Sequence, residues 1–460
     1  MRIVFATAEL RPLVSVGGLG EAAAGLVAGL RSAGHEVDVI LPDYYRWDLD
    51  DEIVEPVRAP KWAEPVTVRS GTHRDVGSIT LVDVNGISRD NPYVGADGEG
   101  WPDNDRRFAG FSAVVAELIG QRRPDIVQLN DWHTGLVPAF MAQPRPPIVL
   151  TIHNLAHQGW ANSGWINELP FQADLFERGD AINMLAGAIA AADAVVAVSP
   201  TYAEEIREEP QGMGLAGELE NKGDRLQGIL NGIDTTAWDP ATDSALPENY
   251  DHRDRSGKKV CRAALWQQLG WDPSSKEPLI AMVTRLVDQK GVDVVFETAQ
   301  YLEGMRARMM VLGSGDPGLA SWGHRLASEM PGRFAFREGF DIDLAHLMFA
   351  GSDLFVMPSR FEPCGLAQMQ AMRYGTIPVV TSVGGLADTV VDADAHRSGT
   401  GFVSATVDVA GMVDALHRAL SAWRNPGRRR GIPGRGMAID WSWEAPAQRY
   451  VDLYNQLIGH

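Results

Sequence analysis

Residues 358–390 read PSRFEPCGLAQMQAMRYGTIPVVTSVGGLADTV. The segment before them, Asp353 to Met357, reads as a buried strand, and the apolar spacing from Leu366 to Met372 is helical, so Glu362 falls where a strand gives way to a helix. Open α/β sheets bind their ligands at such carboxyl ends. Backbone N–H groups at a helix start favour anions, and a carboxylate beside them can accept hydrogen bonds from sugar hydroxyls. Gly384-Gly385-Leu386, followed by Ala387-Asp388-Thr389, repeats the arrangement with glycines that let a backbone approach a ligand. A polyol carried on a phosphate suits both loops.

Upstream of this stretch, Leu279 to Thr284 reads as a strand that ends at Arg285 and leads through a short loop to Lys290-Gly291. Two cations bracketing a strand-to-helix turn suit a diphosphate, Arg by its planar fork and Lys as a compact charge. Arg308 to Leu312, followed by Gly313-Ser314-Gly315, is a further strand and glycine loop; Phe334 to Phe340 is a strand and Asp343 to Ala350 a helix. These β-loop-α repeats predict a doubly wound domain. Pro240 to Pro278 is polar and proline-bearing, encloses a helix from Val260 to Leu269, and reads as the boundary region. Arg428-Arg429-Arg430 sits among Gly and Pro and reads as a solvated loop; Trp441-Ser442-Trp443-Glu444 opens an amphipathic helix, Ala445 to Leu457.

The first half begins with a βαβ pattern. Arg2 to Thr7 is a strand, Gly17-Gly18-Leu19-Gly20 a loop, Glu21 to Ser32 a helix ended by Gly34, and Glu36 to Leu41 the next strand. A glycine turn after a first strand can seat a phosphate at a helix N-terminus. Asp50 to Arg89 fits an antiparallel excursion, and Asn91 to Asp105 reads as a surface loop without a motif. Asp125 to Leu129 is a strand followed at once by Asn130-Asp131-Trp132-His133-Thr134-Gly135, which puts polar groups and an indole, a good stacking surface for a sugar ring, at a strand's carboxyl end. The strand Pro147 to Ile152 ends in His153-Asn154-Leu155-Ala156-His157. A helix is expected over Ala181 to Ala192, and Asn231 and Asp234 follow a short strand at Gly228.

Bulk properties bound the function. At 460 residues two domains are the default. A formal charge of −19 disfavours nucleic acid and anionic membranes as partners. Two cysteines without a CxxC pair argue against a disulfide framework or thiolate zinc site and agree with a reducing cytoplasm. MRIVFATAEL is broken by Glu9 and reads as a strand rather than a signal peptide, and the most apolar later window, Met184 to Val198, contains Asp193 and is too short to span a bilayer. The motifs suggest neither a metal nor a cofactor.

Taken together, these motifs resemble those of bacterial glycogen synthases and plant starch synthases, and the resemblance runs from Glu9 to Tyr454. It implies the glycosyltransferase-B fold: two doubly wound, Rossmann-like α/β domains facing a central cleft. Residues 1–240 would form the acceptor-side domain and 241–460 the nucleotide-sugar domain, with the last helix, about 441–460, packing back on the first. It implies a retaining glycosyltransferase using a nucleotide-sugar donor, by default ADP-glucose, and an α-1,4-glucan acceptor. The residues at catalytic positions are His153, Arg285, Lys290 and Glu362. Those at donor positions are Gly17, Gly18, Asn231, Gly313, Cys364, Gly365, Leu366 and Thr389; Asp131, Trp132 and His157 lie on the acceptor side. Four positions depart from the family pattern: Ser15 and Ala186 replace lysines, Glu21 an aspartate and His157 a tyrosine, and 160–180 lacks the family's aromatic-rich stretch. All lie in the first half. That asymmetry supports an alternative, a divergent glycogen-synthase-like transferase or pseudo-glycosyltransferase of secondary metabolism joining a nucleotide-activated sugar or cyclitol to a small sugar or amino-sugar acceptor, through a C–O or a C–N bond. A third reading is a non-catalytic nucleotide-sugar or glucan binding protein.

Overall fold

The computed structural model describes residues 1–95 and 98–459. The chain divides into two compact units, Met1–Gly232 together with the segment from Trp443 onward, and Ile233–Ser442. Residues 240–278 lie inside the second.

The first unit carries β1 (Arg2–Ala6), β2 (Glu36–Pro42), β3 (Asp50–Glu55), β4 (Val66–His73), β5 (Gly77–Val84), β6 (Ile126–Asn130), β7 (Ile148–Ile152), β8 (Trp160–Asn162), β9 (Glu177–Arg178), β10 (Ala181–Asn183), β11 (Ala194–Ala197) and β12 (Leu226–Gly228). Nine of these form one sheet in the order β12-β11-β7-β6-β1-β2-β5-β4-β3. It is parallel from β12 to β5, and β4 and β3 add the antiparallel excursion. β7 (IVLTI) and β11 (AVVA) are buried along their whole length, as central parallel strands covered on both faces must be. The strand order reverses beside β1, whose neighbours are β2 and β6, and there the loops leaving β1 and β6 splay apart.

The second unit carries β13 (Leu279–Leu286), β14 (Arg308–Gly315), β15 (Phe334–Glu338), β16 (Leu354–Met357), β17 (Ile377–Thr381) and β18 (Phe402–Ser404). Their order is β15-β14-β13-β16-β17-β18, all parallel, with the reversal between β13 and β16. Each unit is doubly wound, as expected. Among the described residues no helix is long and apolar enough to cross a membrane.

Several local expectations are corrected. The first helix starts at Gly18, not Glu21: Gly17 is its extended N-cap and the other glycines form its first turn. Ala181–Asn183 is a strand, paired with Trp160–Asn162 and Glu177–Arg178, and the helix begins only at Met184, where Asn183 caps it by accepting from the Ala186 N–H at 2.9 Å. Arg428–Arg430 is not a solvated loop but part of helix Pro426–Met437. Asn425 caps that helix and Pro426 occupies its first position. Arg428 bonds the Ala393 carbonyl at 3.0 Å and Asp394 at 2.6 Å, and the Arg429 guanidinium lies 4.4 Å from the centroid of the Trp423 ring. In Asn91 to Asp105, where residues 96 and 97 lie outside the description, Tyr93 turns inward against Ala8, Leu19 and Phe108, and a helix begins at Asn104. Arg285 is still within β13.

The C-terminal helix, Glu444–Ile458, belongs to the first unit; residue 460 lies outside the description. Tyr454 donates to Gln128 Oε1 at 2.8 Å and the Tyr450 hydroxyl lies 3.1 Å from Thr151 Oγ1, so polar side chains of β6 and β7 are satisfied by this helix. Close packing holds its start. A Cβ on Gly25 would sit 1.8 Å from Trp443 Nε1, and one on Gly29 would sit 2.6 Å from Ala447 Cβ. Gly25→Ala is therefore expected to cost about 1–3 kcal/mol through overpacking, despite alanine's better helix propensity. Gly120→Ala, in open space in another helix, should be neutral or stabilising. Thermal melts of the two variants check this; equal melting temperatures would refute the docking.

Candidate functional site

In the first unit the expected site residues lie after the ends of β1, β6, β7 and β12, and those after β1 and β6 flank the reversal point. Glu9, just after β1, is only 4% exposed. Its Oε2 accepts the N–H groups of Val16 at 2.6 Å and Gly17 at 3.2 Å, and its Oε1 accepts the Tyr93 hydroxyl at 2.9 Å. Burial and the adjoining Glu9 carboxylate push the Tyr93 phenol well above its usual range, so it stays a donor. Glu9 thus holds the glycine turn in shape from beneath. A Cβ on Gly17 or Gly18 would meet nothing within 4 Å, so the turn is open on its other side.

Asp131, directly after β6, has φ 53° and ψ −173°, a backbone region that side chains other than hydrogen rarely adopt. That strain aims its carboxylate at the end of β7: Oδ1 accepts the His153 N–H at 2.7 Å, and the Asn154 N–H bonds the same carboxylate. Burial raises the Asp131 pKa to about 7 against those hydrogen bonds. The His153 ring is fixed from the other side. Asn130 Nδ2 donates to the Ala6 carbonyl at 3.0 Å, so Asn130 Oδ1 must face His153 Nε2, 2.9 Å away, and accept from it. Burial lowers the His153 pKa to about 3 and keeps the ring neutral, which leaves Nδ1 with a lone pair. Trp132 packs edge-on against Phe108 at 5.0 Å, and Gly159 has no side chain because a Cβ would lie 2.5 Å from that indole. His157 is exposed; Asn231 is buried at the end of the unit, its N–H reaching the Val198 carbonyl at 3.4 Å.

In the second unit the loops after β13 and β16 meet at the reversal point. Glu362, 4% exposed, receives Lys290 Nζ on both oxygens, at 2.8 and 2.6 Å, and the Ser359 hydroxyl at 3.0 Å. Gly291, with φ 62°, is required here because a Cβ would fall 2.2 Å from the Pro358 carbonyl oxygen. Arg285 is exposed at the end of β13, and its guanidinium makes no hydrogen bond or ion pair with the described residues. The two halves of 358–390 are tied together: the Gly385 N–H donates to the Glu362 carbonyl at 3.0 Å, and Gln368 Nε2 bonds the carbonyls of Cys364 and Gly365 and the Thr389 hydroxyl. Gly365, at φ 71°, leads into Leu366, which caps the helix Ala367–Arg373. Thr389 gives its proton to the Gly385 carbonyl at 2.6 Å, and a Cβ on Gly313 would sit 2.2 Å from the Thr284 carbonyl oxygen, so both positions have a packing reason for their residue. Among the described residues no group of three or more His, Cys, Asp or Glu could hold a metal ion.

Residues 2–221 match the model of the starch synthase catalytic domain, and residues 270–431 that of glycosyl transferases group 1. A glycogen synthase of Anaeromyxobacter sp. is 41% identical, with 99% of each chain covered, and glycogen synthase 1 of Methylococcus capsulatus is 38% identical over 100% of this chain and 97% of that protein. The chain belongs to the glycogen and starch synthase family. The catalytic domain of Arabidopsis thaliana starch synthase IV, solved with ADP and acarbose, superposes with a TM-score of 0.91 at 31% identity, covering 100% of this chain and 99% of that one. A sucrose-phosphate synthase of Thermosynechococcus elongatus, 19% identical with a TM-score of 0.65, shares the fold. The chain is therefore a glycosyltransferase with the glycosyltransferase-B fold.

Where the chain departs from the family, the structure shows what the new residues do. Ser15 is exposed and its hydroxyl bonds the Gly17 carbonyl at 3.2 Å; Glu21 pairs with Arg11; Ala186 is wholly buried inside its helix. Sequence reading missed Glu9, Tyr93, Ser359 and Gln368. For Glu9 there was a signal, a carboxylate closing an otherwise apolar strand, whereas Tyr93 sits 84 residues from its partner.

Two titrating groups, the buried Asp131 and the half-buried His153, predict opposing pH effects. His153 binds fewer protons folded than unfolded between about 3 and 6.5, so its contribution to stability is lost as pH falls through that window. Asp131 binds more protons folded between 3.8 and about 7, so stability is lost as pH rises there. Asp131→Asn removes only the second effect: the variant's melting temperature relative to wild type should rise between about pH 4 and 7 and then level off. A difference that does not vary with pH would refute a buried, titrating Asp131.

Proposed function

We propose that this chain transfers glucose from ADP-glucose to an α-1,4-glucan with retention of configuration. The observation that carries the reading is the second unit's reversal point, where an uncommitted Arg285 near the end of β13 precedes the loop that presents Lys290 to Glu362. The roles assigned follow from which donors and acceptors are unspent. Arg285 grips the diphosphate with its fork. Lys290 spends two of its three N–H donors on Glu362 and directs the third to the leaving phosphate oxygen. Glu362, fixed by Lys290 and Ser359, accepts a ring hydroxyl with a remaining lone pair, aided by the N–H groups around Gly365 and Leu366. His153, donating from Nε2 to Asn130, accepts another sugar hydroxyl on Nδ1. Asp131 orders the turn that carries His153.

The C1–O bond to the diphosphate breaks with its electron pair leaving on phosphate. The acceptor hydroxyl bonds C1 from the same face, and its proton passes to the departing phosphate oxygen. Preorganised positive charge at that oxygen is the principal catalytic contribution, and removing one such donor in other enzymes costs about 10²–10³ in rate. Residues 1–240 serve the acceptor and 241–460 the nucleotide sugar, and the chain acts in the cytoplasm, in keeping with its two free cysteines, Cys261 and Cys364.

A second reading is favoured by one observation: the departures Ser15, Glu21, His157 and Ala186 all lie in the first unit, while Arg285, Lys290 and Glu362 are retained. It is the transfer of a nucleotide-activated sugar or cyclitol to a small amino or hydroxyl acceptor.

Incubation with ADP-glucose and glycogen tests both. Glucan elongation by wild type is expected, with kcat/KM lowered about 100-fold in Arg285→Ala at a nearly unchanged melting temperature, since that side chain is exposed and has no hydrogen bond or ion pair with the described residues to lose. Absence of elongation, with turnover of another activated ring onto a small acceptor, would replace the first reading by the second.

A further inference from the structure

Asp131 and His153 follow the carboxyl ends of β6 and β7, and at the amino ends of the same two strands lies a cavity of about 740 Å³. Pro124-Asp125 and Pro144-Arg145-Pro146, which lead into those strands, line it, together with Arg58-Ala59-Pro60 and one face of helix Asn104–Arg122. Both strands are five residues long, so at about 3.3 Å per residue the cavity stands roughly 17 Å from Asp131 and His153. Its volume is in the range of small-molecule pockets. None of the residues given a catalytic or donor role above lines it.

The helix wall is built from small residues. Ala113, Ala116 and Gly120 recur at intervals of three and four and so share a face, and a Cβ on Gly120 would meet nothing within 4 Å. Phe140, whose ring stands 6.2 Å from that of Trp62, and Met141 add larger apolar surface.

The charged groups of the cavity are left over from folding. Arg58 and Arg123 both line it, both are exposed, and neither guanidinium makes a hydrogen bond or ion pair with the described residues. Arg123 stands at the helix C-cap with φ 50° and ψ 62°, a left-handed position where glycine is the ordinary occupant. A long cation is kept there at a backbone cost. Of the two carboxylates on the wall, Asp125 accepts the Arg2 N–H at 2.7 Å and Glu117 accepts Gln121 Nε2 at 3.0 Å, and neither forms an ion pair among the described residues. Arg145 is already committed, to Asp193 at 2.6 Å and the Ala191 carbonyl at 2.7 Å. On a chain of net charge −19, two uncommitted guanidiniums on one cavity call for an anion from outside the chain.

We propose that this cavity is a second ligand site, and that it takes a nucleoside monophosphate. Arg58 and Arg123 supply the charge and the planar N–H forks that match phosphate oxygens, and the apolar wall with Phe140 receives the flat face of the base. A sugar phosphate would lay hydroxyls against alanine, proline and methionine, where they lose water and gain no partner. Inorganic phosphate would leave that wall uncovered. The inference goes beyond the glucan reading and does not depend on it, since the two sites share no residue.

Calorimetric titration of AMP tests it on wild type, Arg285→Ala, Gly120→Met, and the double variant Arg58→Ala with Arg123→Gly. Wild type is expected to bind AMP with a Kd below about 1 mM. Arg285→Ala should retain a site of that affinity. The double variant should bind at least about ten-fold more weakly, from the loss of hydrogen bonds to a charged group. Gly120→Met, which adds bulk to the wall and keeps both arginines, should weaken binding several-fold, as a purely long-range attraction would not. Glycine relieves the left-handed position at 123, so the double variant's ligand-free melting temperature should be no lower than wild type's, and its weaker binding is then not a folding defect.

A wild type that does not bind AMP would overturn the proposal. So would binding that Arg285→Ala abolishes and the cavity variants retain, which would put AMP at the second unit's strand ends. Inorganic phosphate or glucose 6-phosphate bound as tightly as AMP would overturn the assignment to a nucleoside. If the double variant does not fold, Arg58→Gln alone is read in the same titration, and an unchanged affinity there would equally overturn the site.

Discussion

A carboxylate removed from water must be given donors, and this molecule uses that requirement to shape its loops. Glu9, Asp131 and Glu362 each follow a parallel strand beside a reversal of strand order and are nearly fully buried. Glu9 gathers the amides of the glycine turn and the Tyr93 hydroxyl; Asp131 gathers the amides that follow β7; Glu362 gathers Lys290 and Ser359. Leaving any of them unpaired would cost several kcal/mol, so each fixes the geometry of a segment with no regular secondary structure of its own. Order at the sheet ends follows from electrostatics as much as from packing.

The three sites differ in how their charge is balanced. Glu362 has a cation in direct contact. Asp131 has only neutral amides, and burial brings its pKa to about 7. Close by, the same burial keeps His153 neutral. The first unit therefore offers lone pairs and hydrogen-bond geometry, while the second concentrates cationic groups at Arg285 and Lys290.

Much of the site was legible because its residues lie within a few positions of a strand end and a glycine. Arg285, Lys290 and Glu362, Asp131 and His153, and Gly17-Gly18 could all be placed that way. The residues that hold them could not. Asn130 sets the proton on His153 only because its own amide is committed to Ala6, 124 residues away, and Gln368 bridges two loops whose sequences show no sign of contact. Local propensity also misled at Arg428–Arg430, where glycine and proline suggested a loop but Asn425 as a cap, Pro426 at the first position and the Trp423 ring beneath Arg429 sustain a helix.

By itself the sequence determined the two doubly wound units and the family, because hydrophobic periodicity and strand-end motifs are written in neighbouring residues. It also determined that the family's lysines at positions 15 and 186 are missing. Only the tertiary structure decided the glycine turn's support by Glu9 and Tyr93, the tautomer of His153, and the pairing of Lys290 with Glu362. Those depend on which buried polar group finds which partner across tens of residues, and satisfaction of that kind is a property of the folded whole.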